Sequence, residues 1–260
     1  MDFLLNVKNL FMTIYYPRVL LHQTLFWGSA LFIFKNPTLV DVSWASGHFL
    51  IGLSLYLNSG AKFLSPSTLV MGLVAIWFMR LGGFIFYNRI YKSNHVDPRY
   101  EKLRKNRNEI SYYLFQFQFQ GILLTLTSIP LIYAFRANHQ LNIVNYLGFL
   151  MCIIGILGEA VADQQLQNYK DNNITGIKDV FRGGLFKNSR HPNLFFELVF
   201  WYGISLTSIH SFSCLFSLVG PTLLFLIMKY LTIRITEKHM IDTRPNYREV
   251  IKETNMFLPL

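Results

Sequence analysis

Charge is scarce in this sequence. Lys, Arg, Asp and Glu make up 15% of its 260 residues, against about 25% in an ordinary soluble domain. Acidic residues are the scarcer sign, 14 against 24 Lys and Arg, for a net charge of +10. Cysteine is nearly absent. Cys152 and Cys214 both lie in apolar runs without CxxC spacing, which excludes a disulfide framework and leaves them as core packing. His22, His48, His139, His210 and His239 are scattered, with no HExxH and no clustered pairs. A zinc peptidase and a di-iron membrane hydroxylase are therefore not expected, and no metal site is assigned. GxGxxG after a strand, GxxxxGK[ST] and GxSxG are all missing, which excludes a Rossmann site, a P-loop and a serine-hydrolase elbow. There is no internal repeat and no low-complexity tract. The N-terminus, MDFLLNVKNLFMTIYYPRVLL, lacks a charged n-region and an A-x-A site, so no cleaved signal peptide is expected.

What remains is hydrophobic: 52% of all residues are hydrophobic and 16% of all residues are aromatic. Apolar runs recur near the ~20 residues that cross a bilayer. The expected fold is an all-α integral membrane protein, a bundle of about seven transmembrane helices. The spans fall at about 19–35, 39–57, 68–90, 112–135, 143–162, 193–209 and 212–233, the fourth kinked or ended near Pro130. Residues 1–18 read as an interfacial lead-in. Residues 19–260 read as one transmembrane domain whose mixed tail, 234–260, is ordered at the membrane surface.

Basic residues orient the bundle. Seven spans with the N-terminus out and the C-terminus in place 19 of the 24 Lys and Arg on the inner side and four on the outer, with Arg80 inside a span. That asymmetry is the positive-inside pattern. It explains the basic balance without a nucleic-acid partner. It also puts the polar segments 91–111, 163–192 and the tail on one face, where basic loops meet anionic lipid.

Within the spans, a few polar residues need a reason, because an ionisable group in lipid is costly. Asp41, Arg80, Glu159, Asp163 and Glu197 are such residues. Glu159 and Asp163 share a helix face, and Lys170 joins it if the helix continues. The competing reading of Lys170 is a solvated helix end, and of Glu197 an interhelical salt bridge to Lys229 or Arg234. Arg182, Lys187 and Arg190 precede the sixth span beside Gly183-Gly184, a combination that suits phosphate. His191 reads as a base, a phosphate contact or a cap. QFQFQ at 116–120 spreads Gln116, Gln118 and Gln120 around a helix, with Gln120 deepest.

The segment GLFKNSRHPNLFFE at 184–197 resembles the G-L-[FW]-x-x-S-R-H-P-N-Y-x-G-E signature of the steroid 5α-reductase-like superfamily, and more narrowly its uncharacterised, largely bacterial branch. DVSW at 41–44, WFMRLG at 77–82, DPRY at 97–100, EAVADQQ at 159–165 and RPNYREVIKETNMFLP at 244–259 follow the order seen in that branch. Leu194 and Phe196 replace the usual Tyr and Gly, and Val250 replaces the second Tyr of the tail motif.

The resemblance implies a seven-span reductase that takes NADPH from the cytosolic side and reduces a C=C bond conjugated to a carbonyl. It implies cofactor contacts from Glu159, Asp163, Lys170 and Asn193, with Arg190, His191 and Glu197 beside them. Lys170 stands where Arg is common, which trades a bidentate fork for a point charge. On the carbonyl side the candidates are Asp41, kept protonated by burial, Tyr87 and Gln120. The substrate expected is a lipophilic small molecule from the bilayer, a steroid or other lipid, with no obligate protein partner. The setting expected is a bacterial inner membrane with the active site on the cytoplasmic side. The main alternative is a membrane methyltransferase of the isoprenylcysteine or phospholipid type using S-adenosylmethionine, with Glu237 holding the ribose. A non-catalytic membrane protein is the third reading; no inverted repeat supports transport.

Overall fold

A computed structural model of the chain describes residues 16–63, 65–93, 96–97, 100–101, 108–136, 141–172 and 179–258. Among these residues the protein is all-helical, with no strand. Three helices are long and apolar enough to cross a membrane: Pro66–Tyr91, Ile143–Asn172 and Phe212–Thr243. A fourth span results if the bent pair Glu109–Thr127 and Ile129–Phe135 is counted as one. The chain divides into two compact units, Met1–Gln140 and Leu141–Leu260.

The first unit holds α1 (Tyr16–Gly28), α2 (Leu39–Asn58), α3 (Pro66–Ile85), α4 (Glu109–Thr127) and α5 (Ile129–Arg136). Residues 1–15 of the expected lead-in lie outside the described residues, and Tyr16, Pro17 and Arg18 already form the first turn of α1. Caps fix the helix starts. The Ser65 hydroxyl accepts from the Thr68 N–H at 3.3 Å, ahead of Pro66 at the first helical position. Asn108 Oδ1 accepts from the Ser111 N–H at 3.1 Å. The kink expected near Pro130 is a 42° bend between α4 and α5, at Ser128, whose hydroxyl bonds back to the Leu124 carbonyl.

Contacts fix how α1, α2 and α4 run. His22 and Gln23 of α1 bond Ser46 and Ser43 of α2, so the two helices are antiparallel. Thr24 bonds Gln118, while Val19 and Gln23 lie against Gly121, so α1 is antiparallel to α4 also. Gly47 meets Leu124 and His48 bonds Thr127. Both His48 ring nitrogens are engaged, by Thr127 and by the Trp44 carbonyl, which marks a satisfied core histidine.

The second unit is built on α6 (Ile143–Asn172) and α7 (Pro192–Leu206), which pack against each other more extensively than any other helix pair. Asn142 Oδ1 caps α6, accepting from the N–H groups of Val144 and Asn145. The helix runs ten residues past the expected end at 162. Side-chain amide bonds one turn apart, Gln164 to Asn168 and Gln167 to Asp171, support this polar extension. The segment expected to span at 193–209 is a 15-residue helix, α7, about 22 Å long.

Glycines set the α6–α7 distance. A Cβ on Gly155 would lie 2.6 Å from the Phe200 nitrogen and 2.8 Å from the Phe196 oxygen. A Cβ on Gly148 would lie 2.6 Å from the Thr207 nitrogen, and one on Gly203 would lie 2.8 Å from the Cys152 nitrogen. All these atoms are backbone and cannot swing aside. The helices therefore touch main chain to main chain, the small-residue mode of membrane helix packing. Both cysteines are buried and free.

After α7 a helical stretch carries α8 (Val219–Ile227) and α9 (Ile233–Thr243), and α10 (Tyr247–Glu253) follows. The tail returns to the segment before α7. Ser189 bridges to Asn255, and the Ser189 hydroxyl donates to the Phe257 carbonyl at 2.8 Å.

The close contact predicts a graded outcome. Gly155→Ala is expected to destabilise the protein by about 1–3 kcal/mol, the range for overpacking. Gly72→Ala, at a helical glycine with open space around its Cβ position, is expected to be neutral or slightly stabilising. Equal thermal shifts in detergent for the two variants would refute main-chain contact at Gly155.

Candidate functional site

In the second unit, the glycine seam brings together two halves of the motif set. Asp163 of α6 accepts a hydrogen bond from the Asn193 amide of α7 at 3.3 Å. Glu159 and Glu197 are buried, and so is Asp163. The helices run antiparallel, with Gly155 level with residues 196–200 and Asp163 level with Asn193. That register sets Glu159 at the level of Glu197. Lys170 lies on the same continuous helix as Glu159 and Asp163, as the spacing anticipated, and is exposed.

Phe196, which replaces a glycine of the resembling motif, packs its ring on Gly158. A Cβ at Gly158 would sit 2.3–2.5 Å from three ring atoms of Phe196. The bulk added on α7 is accommodated by a glycine on α6. Close approach is kept, and Asn193 still reaches Asp163.

Other motif residues serve the architecture. The Gly183-Gly184 pair was expected to let a phosphate approach. The approach is made by Gln165, the Gln of EAVADQQ, whose Oε1 accepts from the Leu185 N–H at 3.0 Å. Gly184 has φ +54°, and a Cβ there would lie 2.4 Å from Gln165 Oε1. The positive φ favours glycine.

Arg190 is likewise committed. Its Nε donates to Glu237 at 2.7 Å, and its Nη1 donates to the carbonyls of Ile251, at 3.2 Å, and Thr254. His191 Nε2 contacts the same Glu237 oxygen at 3.1 Å, and the Tyr247 hydroxyl donates to it at 3.4 Å. The N–H groups of Arg190 and His191 donate to the Asn255 and Met256 carbonyls. Thus Arg190, His191 and Glu237 form an internal clamp that fastens the tail. The Arg190 side chain is 7% exposed. Sequence reasoning assigned these three residues to a cofactor; the structure shows them holding protein. Tyr247, the Tyr of RPNY, is the member it missed.

In the first unit, Asp41 is the centre of a second network. Its Oδ1 accepts from the Tyr100 hydroxyl at 2.5 Å, and its Oδ2 lies 3.5 Å from Arg89 Nη1. Arg89 also pairs with Asp97 at 3.0 Å, and the Asp97 N–H donates to Thr38 Oγ1 at 2.9 Å. The DVSW and DPRY motifs meet here. Asp41 therefore accepts from the Tyr100 hydroxyl and is ion-paired with Arg89. The tyrosine bonded to it is Tyr100; Tyr87 is 56% exposed and stacks on Tyr91. Gln120 is partly exposed, next to Gly121 at the α1 contact. The signal for Tyr100 lay in the DPRY motif, whose Tyr was not given a role.

The described residues hold no cluster of three or more metal-ligating side chains. The second-unit acids, Glu159, Asp163 and Glu197, are hydrogen-bond acceptors and suit the hydroxyl and carboxamide groups of a nucleotide cofactor. Phosphate charge falls to the exposed Lys170 and Lys187, because Arg190 is spent.

Burial, and then the neighbouring Glu237 carboxylate, push the Tyr247 phenol above its usual range. The folded state thus holds this proton more tightly than the unfolded chain does. The stability it confers is complete below about pH 10, the ordinary phenol value, and is lost as the pH rises beyond it. Between pH 9 and 11 the melting temperature of the wild type should fall more steeply than that of Tyr247→Phe. Parallel slopes would remove Tyr247 from the clamp.

No curated protein and no solved structure matches the chain. Among known families, the profile described as a protein of unknown function, DUF1295, matches residues 26–254. That match runs from the end of α1 into the tail and takes in every motif discussed above except the last five residues of the tail motif, so this chain belongs to the DUF1295 family.

Proposed function

We propose that the protein is an integral membrane reductase that uses NADPH to saturate a carbonyl-conjugated C=C bond in a lipophilic, steroid- or lipid-like substrate from the bilayer. The reading includes seven spans, the N-terminus out and the C-terminus in, and a site on the cytoplasmic side of a bacterial inner membrane. One observation carries it. The Asn193–Asp163 hydrogen bond joins the HPN and E-x3-D elements inside an apolar helix pair. Buried polar groups in such a pair are costly and mark function by default.

Bound NADPH would supply hydride chemistry at the β-carbon of the enone, with a proton going to the α-carbon. In the second unit, Asp163 fixes the Asn193 amide, and Glu159 and Glu197 offer acceptors to hydroxyl and amide donors. In the first unit Asp41 holds the Tyr100 phenol and the Arg89 guanidinium. The methyltransferase alternative relied on Glu237 for the ribose of S-adenosylmethionine. Glu237 is bonded to Arg190, His191 and Tyr247, a clamp that also engages the Arg190 and His191 of the reductase reading.

The test is a titration of purified protein with NADPH, NADH and S-adenosylmethionine, read by nicotinamide fluorescence and thermal shift. NADPH should bind and stabilise the protein. Asp163→Asn and Asn193→Leu should each weaken binding by about tenfold, roughly 1.4 kcal/mol. Stabilisation by S-adenosylmethionine alone would favour the methyltransferase, and binding of none of the three would favour a non-catalytic role.

A second arm addresses Asp41. Asp41→Asn loosens the hold on Tyr100 and Arg89, so enone reduction should fall steeply while NADPH affinity stays unchanged. Unaltered turnover would remove the Asp41 network from the chemistry.

A further inference from the structure

The helical stretch from Phe212 to Thr243 is long and apolar enough to cross a membrane, and its winding changes on the way. Between α8 and α9, Met228–Thr232 forms a π-helical turn, in which the Ile233 N–H donates to the Met228 carbonyl, five residues back. Such turns are rare inside α-helices and are frequent at functional sites.

The wider turn acts on Lys229 and Arg234. Residues five apart stand on different sides of a regular α-helix, yet here both reach one ring. Lys229 Nζ lies 5.4 Å from the centre of the Tyr230 ring, and Arg234 Cζ lies 5.4 Å from the same centre. Lys229 Nζ is also 5.5 Å from the centre of the Phe225 ring. The Phe225 ring is backed by the tail: Phe257 packs on it at 5.5 Å, and the Ser189 hydroxyl holds the Phe257 carbonyl. The sequence allowed an ion pair from Lys229 or Arg234 to Glu197, but neither cation makes a hydrogen bond or an ion pair among the described residues. Two like charges gathered at one ring repel each other, and a bound anion would offset that repulsion. A guanidinium lying over a ring still offers its N–H edge to a bidentate acceptor such as phosphate.

The surroundings say which anion fits. Tyr230 is 51% exposed, and Leu226 and Leu231 beside it on the same helix are 41% and 44% exposed. A tyrosine and basic residues at the end of an apolar run form the pattern of a membrane–water interface. An amphiphile can lay its chains on the leucines while its phosphate meets the cations. A water-soluble phosphate would gain nothing from that apolar surface.

We propose that Lys229, Tyr230 and Arg234 form a binding site for the phosphate of an anionic glycerophospholipid whose headgroup carries no ammonium. Arg234 chelates the phosphate oxygens, Lys229 supplies a second charge, and the Tyr230 ring gathers the two cations. Leu226 and Leu231 receive the acyl chains. A headgroup with its own ammonium would bring a third cation to the pair and is disfavoured. The inference rests on this segment and does not depend on the reductase reading.

The test is native mass spectrometry of the full-length protein in detergent, with melting temperatures read alongside. The titrants are phosphatidylglycerol, phosphatidylcholine with the same chains, and inorganic phosphate. One phosphatidylglycerol should stay bound and raise the melting temperature, and phosphatidylcholine should bind about tenfold more weakly. Arg234→Gln should weaken phosphatidylglycerol binding about tenfold, the scale of one hydrogen-bonded charge, with the lipid-free melting temperature unchanged. Lys229→Gln should do the same and serves as the second variant should Arg234→Gln not fold. Arg234→Lys keeps the charge without the fork and should fall between. Lys252→Gln removes an equal charge from an exposed position in α10 and should leave binding unchanged. Equal binding of the two lipids, or an equal loss in Lys252→Gln, would overturn the proposal, leaving Lys229 and Arg234 as side chains that reach for the membrane surface without a bound partner. Equal stabilisation by inorganic phosphate, or displacement of the lipid by NADPH, would overturn it in favour of a soluble phosphate ligand. Failure of NADPH to bind at all would count against the reductase reading and leave the lipid result standing.

Discussion

The second unit depends on one contact, the approach of α6 to α7 with main chain against main chain. Lipid tails are as apolar as leucine, so two membrane helices gain little by hiding side chains from them. Their attraction comes from many atoms at van der Waals distance, and glycine gives the shortest distance. Gly148, Gly155 and Gly203 provide it here. The polar chemistry is a consequence. A short amide such as Asn193 reaches a short carboxylate such as Asp163 only because the backbones behind them are already in contact. Wider spacing would leave both groups buried and unpaired.

A second principle divides the motif residues by their work. Some polar residues in the matched region face one another across a helix pair, as Asp163 and Asn193 do. Others hold loops to helices. Gln165 fixes the turn at Gly184, and Arg190 fixes the tail by spanning Glu237 and two carbonyls. A buried charge pair of that kind is costly to break once formed, because removing either partner strands the other. The tail is thereby part of the fold of the site segment, and the basic pair of SRHP belongs to structure as much as to any ligand.

Much of this was legible in the sequence, for identifiable reasons. Helix positions followed from apolar runs, and the break near Pro130 followed from a missing N–H. The shared face of Glu159 and Asp163 followed from helical spacing, and α6 continues far enough to include Lys170. Less legible was whatever depended on who faces whom. Nothing in the local sequence says that Arg190 donates to carbonyls more than 60 residues later, or that Asp41 is met by Tyr100, 59 residues on. Tyr87 was named because the resemblance implies a tyrosine on the second or third span, yet Tyr87 is exposed and stacks on Tyr91, and the tyrosine bonded to Asp41 is Tyr100. The end of α6 was misjudged because polar residues suggest a loop, whereas Gln and Asn one turn apart bond each other and extend a helix.

The fit of Phe196 against Gly158 has a consequence for how this seam tolerates change. The two positions share one volume: a ring on one helix is matched by the lack of a side chain on the other. Neither is then free to vary alone. A smaller residue at 196 leaves a ring-sized gap beside Gly158, and a larger one at 158 collides with the ring, while the exchanged pair fills the same space with the partners reversed. Substitution effects at neighbouring, contacting sites do not add. Position 196 is best understood as half of a two-residue character, and a motif read along one helix describes only that half.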